Sequence, residues 1–282
     1  MTDVRTEPAP TLSESKPNPS GKFIWYELMT PDPDGAKAFY DAVVGWNIDS
    51  RSNFPNGYRM IGRNDGKSAG GVLPLNDEMQ QHGARPTWLA YIHVPDVDAS
   101  VRSIEEAGGK TLMAPLDIPD VGRVAMVADP QGVPFYIMKP TPPADQPDAV
   151  SDVFSVDQPQ HVRWNELSTA DPQAAIEFYR RQFGWAQEGD MDMGEMGKYR
   201  FIQSGSTTIG AIMRKPRQMP VSTWTYYIGV DDIDRAADAI RTGGGQILHG
   251  PIEIPGGEFA LNGMDPQGAA FGLVGPRKSG RA

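Results

Sequence analysis

The chain carries the same segment twice. WYELMTPDPDGAKAFYDAVVGW begins at Trp25 and WNELSTADPQAAIEFYRRQFGW begins at Trp164, with the shared residues in identical spacing 139 positions apart. Three later pairs continue the match at an offset of 136: TWLAYIHVPDVD from Thr87 with TWTYYIGVDDID from Thr223, IEEAGGKTLMAPLDIP from Ile104 with IRTGGGQILHGPIEIP from Ile240, and ADPQGVPFYIMKP from Ala128 with MDPQGAAFGLVGP from Met264. A unit copied in tandem folds into a pseudo-symmetric molecule, so each copy serves as a control for the other.

Two copies within 282 residues imply two domains of ordinary size, each large enough to bury a core. The boundaries expected are a polar, proline-rich and disordered tail over residues 1–20, a first module over 21–140, a linker over 141–160, a second module over 161–276 and a short basic tail over 277–282. Val153, Phe154 and Val156 give the linker something to pack. The formal net charge of −10 with scattered Lys and Arg argues against nucleic-acid binding. No apolar run is long enough for a membrane span, and the first residues do not resemble a secretory signal, so a cytoplasmic protein is expected. With no cysteine, disulfides, thiolate metal sites and cysteine nucleophiles are excluded.

Within one copy, Phe23 to Met29 alternates as a strand does, and Asp32-Pro33 then supplies an N-cap and a first helical residue. Ala36, Phe39, Tyr40 and Val43 follow at helical spacing until Gly45, as Ala175, Phe178, Tyr179 and Phe183 do before Gly184. Their aromatic residues, with Trp46, are expected in the core. Tyr58 to Gly62 and Ser68 to Leu73 read as a hairpin about Asn64-Asp65-Gly66. A strand from Trp88, a helix from about Asp96 closed by Gly108-Gly109, and a hairpin turning at Asp129-Pro130-Gln131-Gly132 complete the copy. Asp129 and Asp265 are read as turn formers, and His93, with Gly229 at its counterpart position, as an edge or surface residue.

The acidic N-cap after the opening strand, FY near the end of the helix, GW after it, and the late GG and DPxG turns together resemble the vicinal oxygen chelate superfamily of glyoxalases, bleomycin-resistance proteins and extradiol dioxygenases. The resemblance covers about 250 residues and is closest to a two-module, glyoxalase-like subgroup. It implies an α+β fold of two tandem modules, each a pair of βαβββ-type units forming a cup-shaped mixed sheet with helices outside. It also implies a divalent metal in the cup. The family's first ligand position falls on Trp25 and Trp164, the late-strand position near Leu89 and Thr225, and the last on Tyr136 and Gly272. An indole offers only a donor and cannot bind a cation, so no metal and no other cofactor is expected. The four histidines, His82, His93, His161 and His249, do not pair between the copies.

Because strand side chains alternate, Trp25, Glu27 and Met29 share one face, as do Trp164, Glu166 and Ser168. Glu27 and Glu166 are therefore candidate acid or base groups inside the cup, with Tyr58 and Arg59, or Tyr199 and Arg200, as partners. A structural role for the two glutamates stands beside the functional one. Trp88 and Trp224 either line the pocket or pack on the helices, and Tyr136 completes the candidate lining. Three functions remain open: a metal-independent protein binding a small aromatic or carbonyl-bearing molecule, a lyase or dioxygenase with displaced metal ligands, and a metal-free enzyme using Glu27 or Glu166 as acid or base. The two modules are expected to pack edge to edge, as a monomer or a homodimer.

Overall fold

The structure, a computed structural model, describes residues 20–146 and 149–278. The two expected tails therefore lie largely outside the described residues. The first module runs β1 (Phe23–Thr30), α1 (Pro33–Val44), β2 (Asn47–Ile48), β3 (Arg59–Gly62), β4 (Ser68–Pro74), the short α2 (Asp77–Gln81), β5 (Thr87–His93), α3 (Val97–Glu106), β6 (Lys110–Ile118), β7 (Gly122–Ala128) and β8 (Pro134–Pro140). The second runs β9 (Val162–Thr169), α4 (Pro172–Phe183), β10 (Ala186–Asp192), β11 (Lys198–Ser204), β12 (Thr207–Arg214), β13 (Thr223–Gly229), α5 (Ile233–Thr242), β14 (Gln246–Glu253), β15 (Phe259–Met264) and β16 (Ala270–Gly275).

Each module forms one eight-stranded mixed sheet, ordered β2-β3-β4-β1-β5-β8-β7-β6 and β10-β11-β12-β9-β13-β16-β15-β14. The local signals act as their chemistry requires. Asp32 accepts from the Gly35 amide and Asp171 from those of Gln173 and Ala174, while Gly45 and Gly184 close α1 and α4 at φ of 83° and 70°.

The modules do not meet edge to edge. Their helix-bearing faces share one apolar core that includes Phe23, Phe39, Tyr40 and Phe135 of the first module and Phe178, Tyr179, Trp224 and Phe271 of the second. Edge-to-edge joining would have left both helix layers in water, where Ala36, Val43, Ala236 and Ile240 would lose their burial. The contacts are exchanged reciprocally. Tyr40 donates to Asp265 at 3.0 Å while receiving the Trp88 indole at 2.9 Å, and Tyr179 donates to Asp129 at 3.2 Å while receiving the Trp224 indole at 3.1 Å. Trp46 donates to the Gln160 carbonyl and Trp185 to the Gly21 carbonyl, so each GW tryptophan holds the backbone leading into the other module's first strand. On the pseudo-twofold axis the equivalent positions differ, and Tyr26 donates to Asn165 at 2.8 Å.

Asp129 and Asp265 are turn formers and more. Each accepts the amides two and four residues further on, Gln131 and Val133 or Gln267 and Ala269, and a tyrosine hydroxyl from the other module. His93 is buried, contrary to its expected place at an edge, because the chain leading into β1 pairs with it through Lys22. The linker is strapped down as well. Ser151 donates to the Ile24 carbonyl, Asp152 pairs with the buried Arg63, Val153 is buried, and the Gln160 side chain bridges Gly45 and Asn64.

Replacing Tyr40 or Tyr179 by Phe strands a buried indole N–H and a buried carboxyl, at a cost of about 1–3 kcal/mol each. Urea unfolding of Y40F and Y179F should show losses of similar size, since the two sites are pseudo-equivalent. A loss confined to one of them would contradict the reciprocal lock.

Candidate functional site

On the face of each sheet opposite the shared core, the opening strand presents a glutamate. In β1 the alternation places Trp25, Glu27 and Met29 there, and the register sets Trp25 opposite Tyr91 of β5, itself opposite Tyr136 of β8. Glu27 is sealed, at 2% exposure. Tyr91 donates to its Oε2 at 2.8 Å, and the hydroxyls of Tyr58 and Tyr136 bear on the same carboxyl. Trp25 donates to the Tyr58 hydroxyl at 2.7 Å, which leaves the phenolic proton free to point at Glu27. Gly71 makes this reach feasible, because a Cβ there would lie 2.1 Å from the Tyr58 hydroxyl. Tyr136 stacks on Tyr91 with centroids 4.3 Å apart. Oε1 of Glu27 has no hydrogen-bond partner among the described residues.

The second module repeats the motif with changes. Tyr199 donates to Glu166 Oε2 at 2.7 Å and receives the Trp164 indole at 2.7 Å. Tyr227 stands 3.4 Å from both oxygens and is itself held by Asn262 at 2.9 Å. Gly272 replaces the third tyrosine, and the Tyr227 ring lies against it. Glu166 is only half-buried.

Burial dominates the titration of both glutamates. It pushes Glu27 up to about 7 against the opposing pull of its tyrosine donors, and it raises Glu166 in the same direction against Tyr199 and Tyr227. Desolvation and the neighbouring carboxyl raise Tyr58, Tyr91 and Tyr199 far above the ordinary phenol range, so they stay neutral donors. Each cup is thus a carboxyl held by phenols, and in the first cup Glu27 titrates at about 7, where it can keep a proton and offer it to an oxygen.

The cups contain some of the sequence candidates and exclude others. Trp25, Glu27, Met29, Tyr58 and Tyr136 meet in the first, and Trp164, Glu166 and Tyr199 in the second. Trp88 and Trp224 lie on the opposite face within the shared core, where their indoles bind Tyr40 and Tyr179. Arg59 and Arg200 also miss the cups, since each is one residue past its tyrosine and the alternation turns it toward the helix. Arg59 pairs with Asp34 of α1 at 2.7 Å. The late-strand residues in line with Trp25 and Trp164 are Tyr91 and Tyr227, two positions beyond Leu89 and Thr225. A signal for them existed, because Tyr recurs at that place in both TWxxY segments.

Two such cups back to back define a tandem glyoxalase-type protein. The chain belongs to the Glyoxalase/Bleomycin resistance protein/Dioxygenase superfamily, whose family profile matches residues 22–137 and again residues 158–273. It is 32% identical over 256 residues to CFP32 of Mycobacterium tuberculosis, a provisionally assigned glyoxylase, covering 89% of this chain and 94% of that protein. It is 27% identical over 276 residues to the anthracycline biosynthesis protein DauV of a Streptomyces species, covering 92% and 94%. In fold it resembles the Mn(II)-bound glyoxalase of Novosphingobium aromaticivorans, with a TM-score of 0.61, 18% identity and coverage of 92% and 83%. It likewise resembles 2,2',3-trihydroxybiphenyl 1,2-dioxygenase of Sphingomonas wittichii, with a TM-score of 0.62, 13% identity and coverage of 91% and 90%.

A divalent metal does not fit the residues in line across these cups. The rows read Trp25-Tyr91-Tyr136 and Trp164-Tyr227-Gly272, which offer an indole donor, neutral phenols and a bare backbone, with one carboxyl beside each row. Asp65, Asp152 and His161 come together elsewhere, on the β3–β4 turn and the linker, where Arg63 and Lys67 already neutralise the carboxylates.

A carboxyl raised on folding binds its proton more tightly in the native state, so stability falls as pH rises between the unfolded and folded values. For Glu27 that window runs from 4.5 to about 7. The full penalty, on the order of 3 kcal/mol, applies above it. Thermal unfolding of Glu27→Gln should therefore show a flatter profile than the parent between pH 5 and 8. Parallel profiles would mean that Glu27 titrates normally.

Proposed function

We propose that this protein binds a small aromatic, carbonyl-bearing molecule without metal, and that the ligand enters the cup of the second module. The observation that carries this is the divergence of two otherwise matched cups. The first is filled by its own side chains: Met29, Leu89 and Met138, packed with Met113, Met126 and Met79 of α2, form a separate apolar cluster. At the corresponding places the second module has Ser168, Thr225, Val274, His249 and Asn262, with Gly272 in place of Tyr136. It also lacks a helix where α2 covers the first cup. The exchange removes apolar bulk and adds donors and acceptors, which suits an oriented polar ligand.

The wall of this cup is aromatic. Trp164 lies parallel to Tyr199 at 6.4 Å, with Phe201 edge-on at 6.0 Å. A flat ring system could stack there and place a carbonyl or phenol oxygen against Glu166, Tyr199 or Asn262. The relative DauV, named for anthracycline biosynthesis, supports this choice of chemistry, since anthracyclines carry fused rings and quinone carbonyls. A second reading, acid/base catalysis on such a carbonyl compound, is favoured by one specific observation: burial holds the Glu166 proton above the ordinary carboxylate range.

Titration with 1,4-dihydroxyanthraquinone, followed by quenching of tryptophan emission, tests the proposal. Gly272→Tyr and Asn262→Met, which reproduce the filled cup, should each weaken binding about tenfold or more. Tyr136→Gly in the first cup should leave binding unchanged. Purified protein should hold well under about half an equivalent of Mn, Fe, Ni or Zn per chain. Equal binding by all variants, or stoichiometric metal, would overturn the reading. Glu166→Gln then separates its two forms: a binder keeps its ligand with no turnover anywhere, whereas an enzyme keeps its ligand and loses turnover.

A further inference from the structure

The two copies also differ on the far side of strand β11, outside both cups. In the first module Arg59, its side chain 14% exposed, is neutralised by Asp34 in the first turn of α1. The equivalent arginine in the second module, Arg200, faces the first turn of α4, where the corresponding residue is the neutral Gln173. Arg200 has no ion pair among the described residues. Two further cations stand beside it with no basic counterpart in the first copy: Lys198, where the first copy has Gly57, and Arg214, where it has Pro74.

These three cations line a cleft of about 290 Å³, together with Pro172 and Met196. Its one carboxylate is the N-cap Asp171, whose Oδ1 is occupied by the amides of Gln173 and Ala174. Lys198 leans on Asp190, a partly exposed pair, and among the described residues Arg214 donates only to the Ala170 carbonyl, at 3.3 Å. In a chain of formal net charge −10, loss of one acid and gain of two bases at one spot concentrates positive potential where the rest of the surface is acidic.

We propose that this cleft is a second ligand site, taking a small organic anion whose carboxylate or phosphate replaces the missing Asp34-type partner of Arg200. A guanidinium fork matches either group in bidentate geometry, Lys198 and Arg214 supply the remaining charge, and Met196 and Pro172 accept an apolar body. Because Tyr199 and Arg200 point to opposite faces of the sheet, this site is separate from the cup and stands or falls independently of it.

Titration of the full chain with inorganic phosphate and, separately, benzoate, followed by amide chemical shifts of Gln173, Gly197 and Lys198, tests the assignment. Saturable shifts are expected from at least one of the two anions, and the tighter one identifies the headgroup. Arg200→Gln should weaken that binding about tenfold or more. Gln173→Asp, which restores the ion pair of the first copy and should not lower the Tm, should do the same. Asp34→Gln should leave the affinity of the second-module site as it was. Absence of saturable shifts, identical shifts with chloride at equal ionic strength, or unchanged affinity in R200Q and Q173D would overturn the proposal.

Discussion

Everything else in this molecule depends on an exchange of tyrosine hydroxyls and aspartate carboxyls between the two copies. Tyr40 reaches Asp265 and Tyr179 reaches Asp129, each tyrosine also holding a tryptophan indole of its own module. Burial raises both aspartates, and each is offset by two turn amides and one phenol, so neither carboxyl can be left without its distant partner at low cost. The lock joins the helix-bearing faces into one core. The opposite faces are left outside that core, which puts the two cups on outward sides of the molecule.

The carboxyl inside each cup, sealed in the first and half-buried in the second, is handled differently. Among the described residues no lysine or arginine pairs with Glu27 or Glu166. Phenols surround them, and burial raises the titration of both, to about 7 for Glu27, so the cost of a buried charge is met by holding the proton more tightly. A cage of this kind rests on small details of packing. Without the missing side chain at Gly71, Tyr58 could not stand over Glu27, and without Trp25 the Tyr58 hydroxyl would lack its indole donor. The same indoles stand at the strand positions where the resemblance to the superfamily leads one to expect a metal ligand, and their N–H groups are given to Tyr58 and Tyr199.

Duplication frees one copy to change while the shared core holds both in place. The first cup is plugged by methionines, leucines and the residues of α2, and adds a satellite core to its module. The second has exchanged those side chains for serine, threonine, asparagine and glycine, and its α4 side has lost the acid that neutralises the matching arginine in the first.

The duplication itself, the strands and helices, the caps at Asp32 and Asp171, and the alternation that sets Glu27 and Glu166 beside Trp25 and Trp164 were legible in the sequence, because each follows from spacing within a few residues. Period two also assigns Tyr58 and Arg59 to opposite faces, but not which of them meets the glutamate; the paths of β3 and α1 decided that. Likewise, the strand register selected Tyr91 over Leu89, the contact between helix-bearing faces drew Trp88 and Trp224 inward, and the pairing of β5 with the chain at Lys22 covered His93. Asp129 and Asp265 read as local turn residues because their turn is local, while the hydroxyls they accept come from 50 and 225 positions away. Sequence alone determined what each segment is, since hydrogen bonding and side-chain period act over one or two turns of chain. Which carboxyl is sealed, and which arginine lacks an ion pair among the described residues, were decided by the tertiary structure, because burial and pairing depend on residues that only folding brings together.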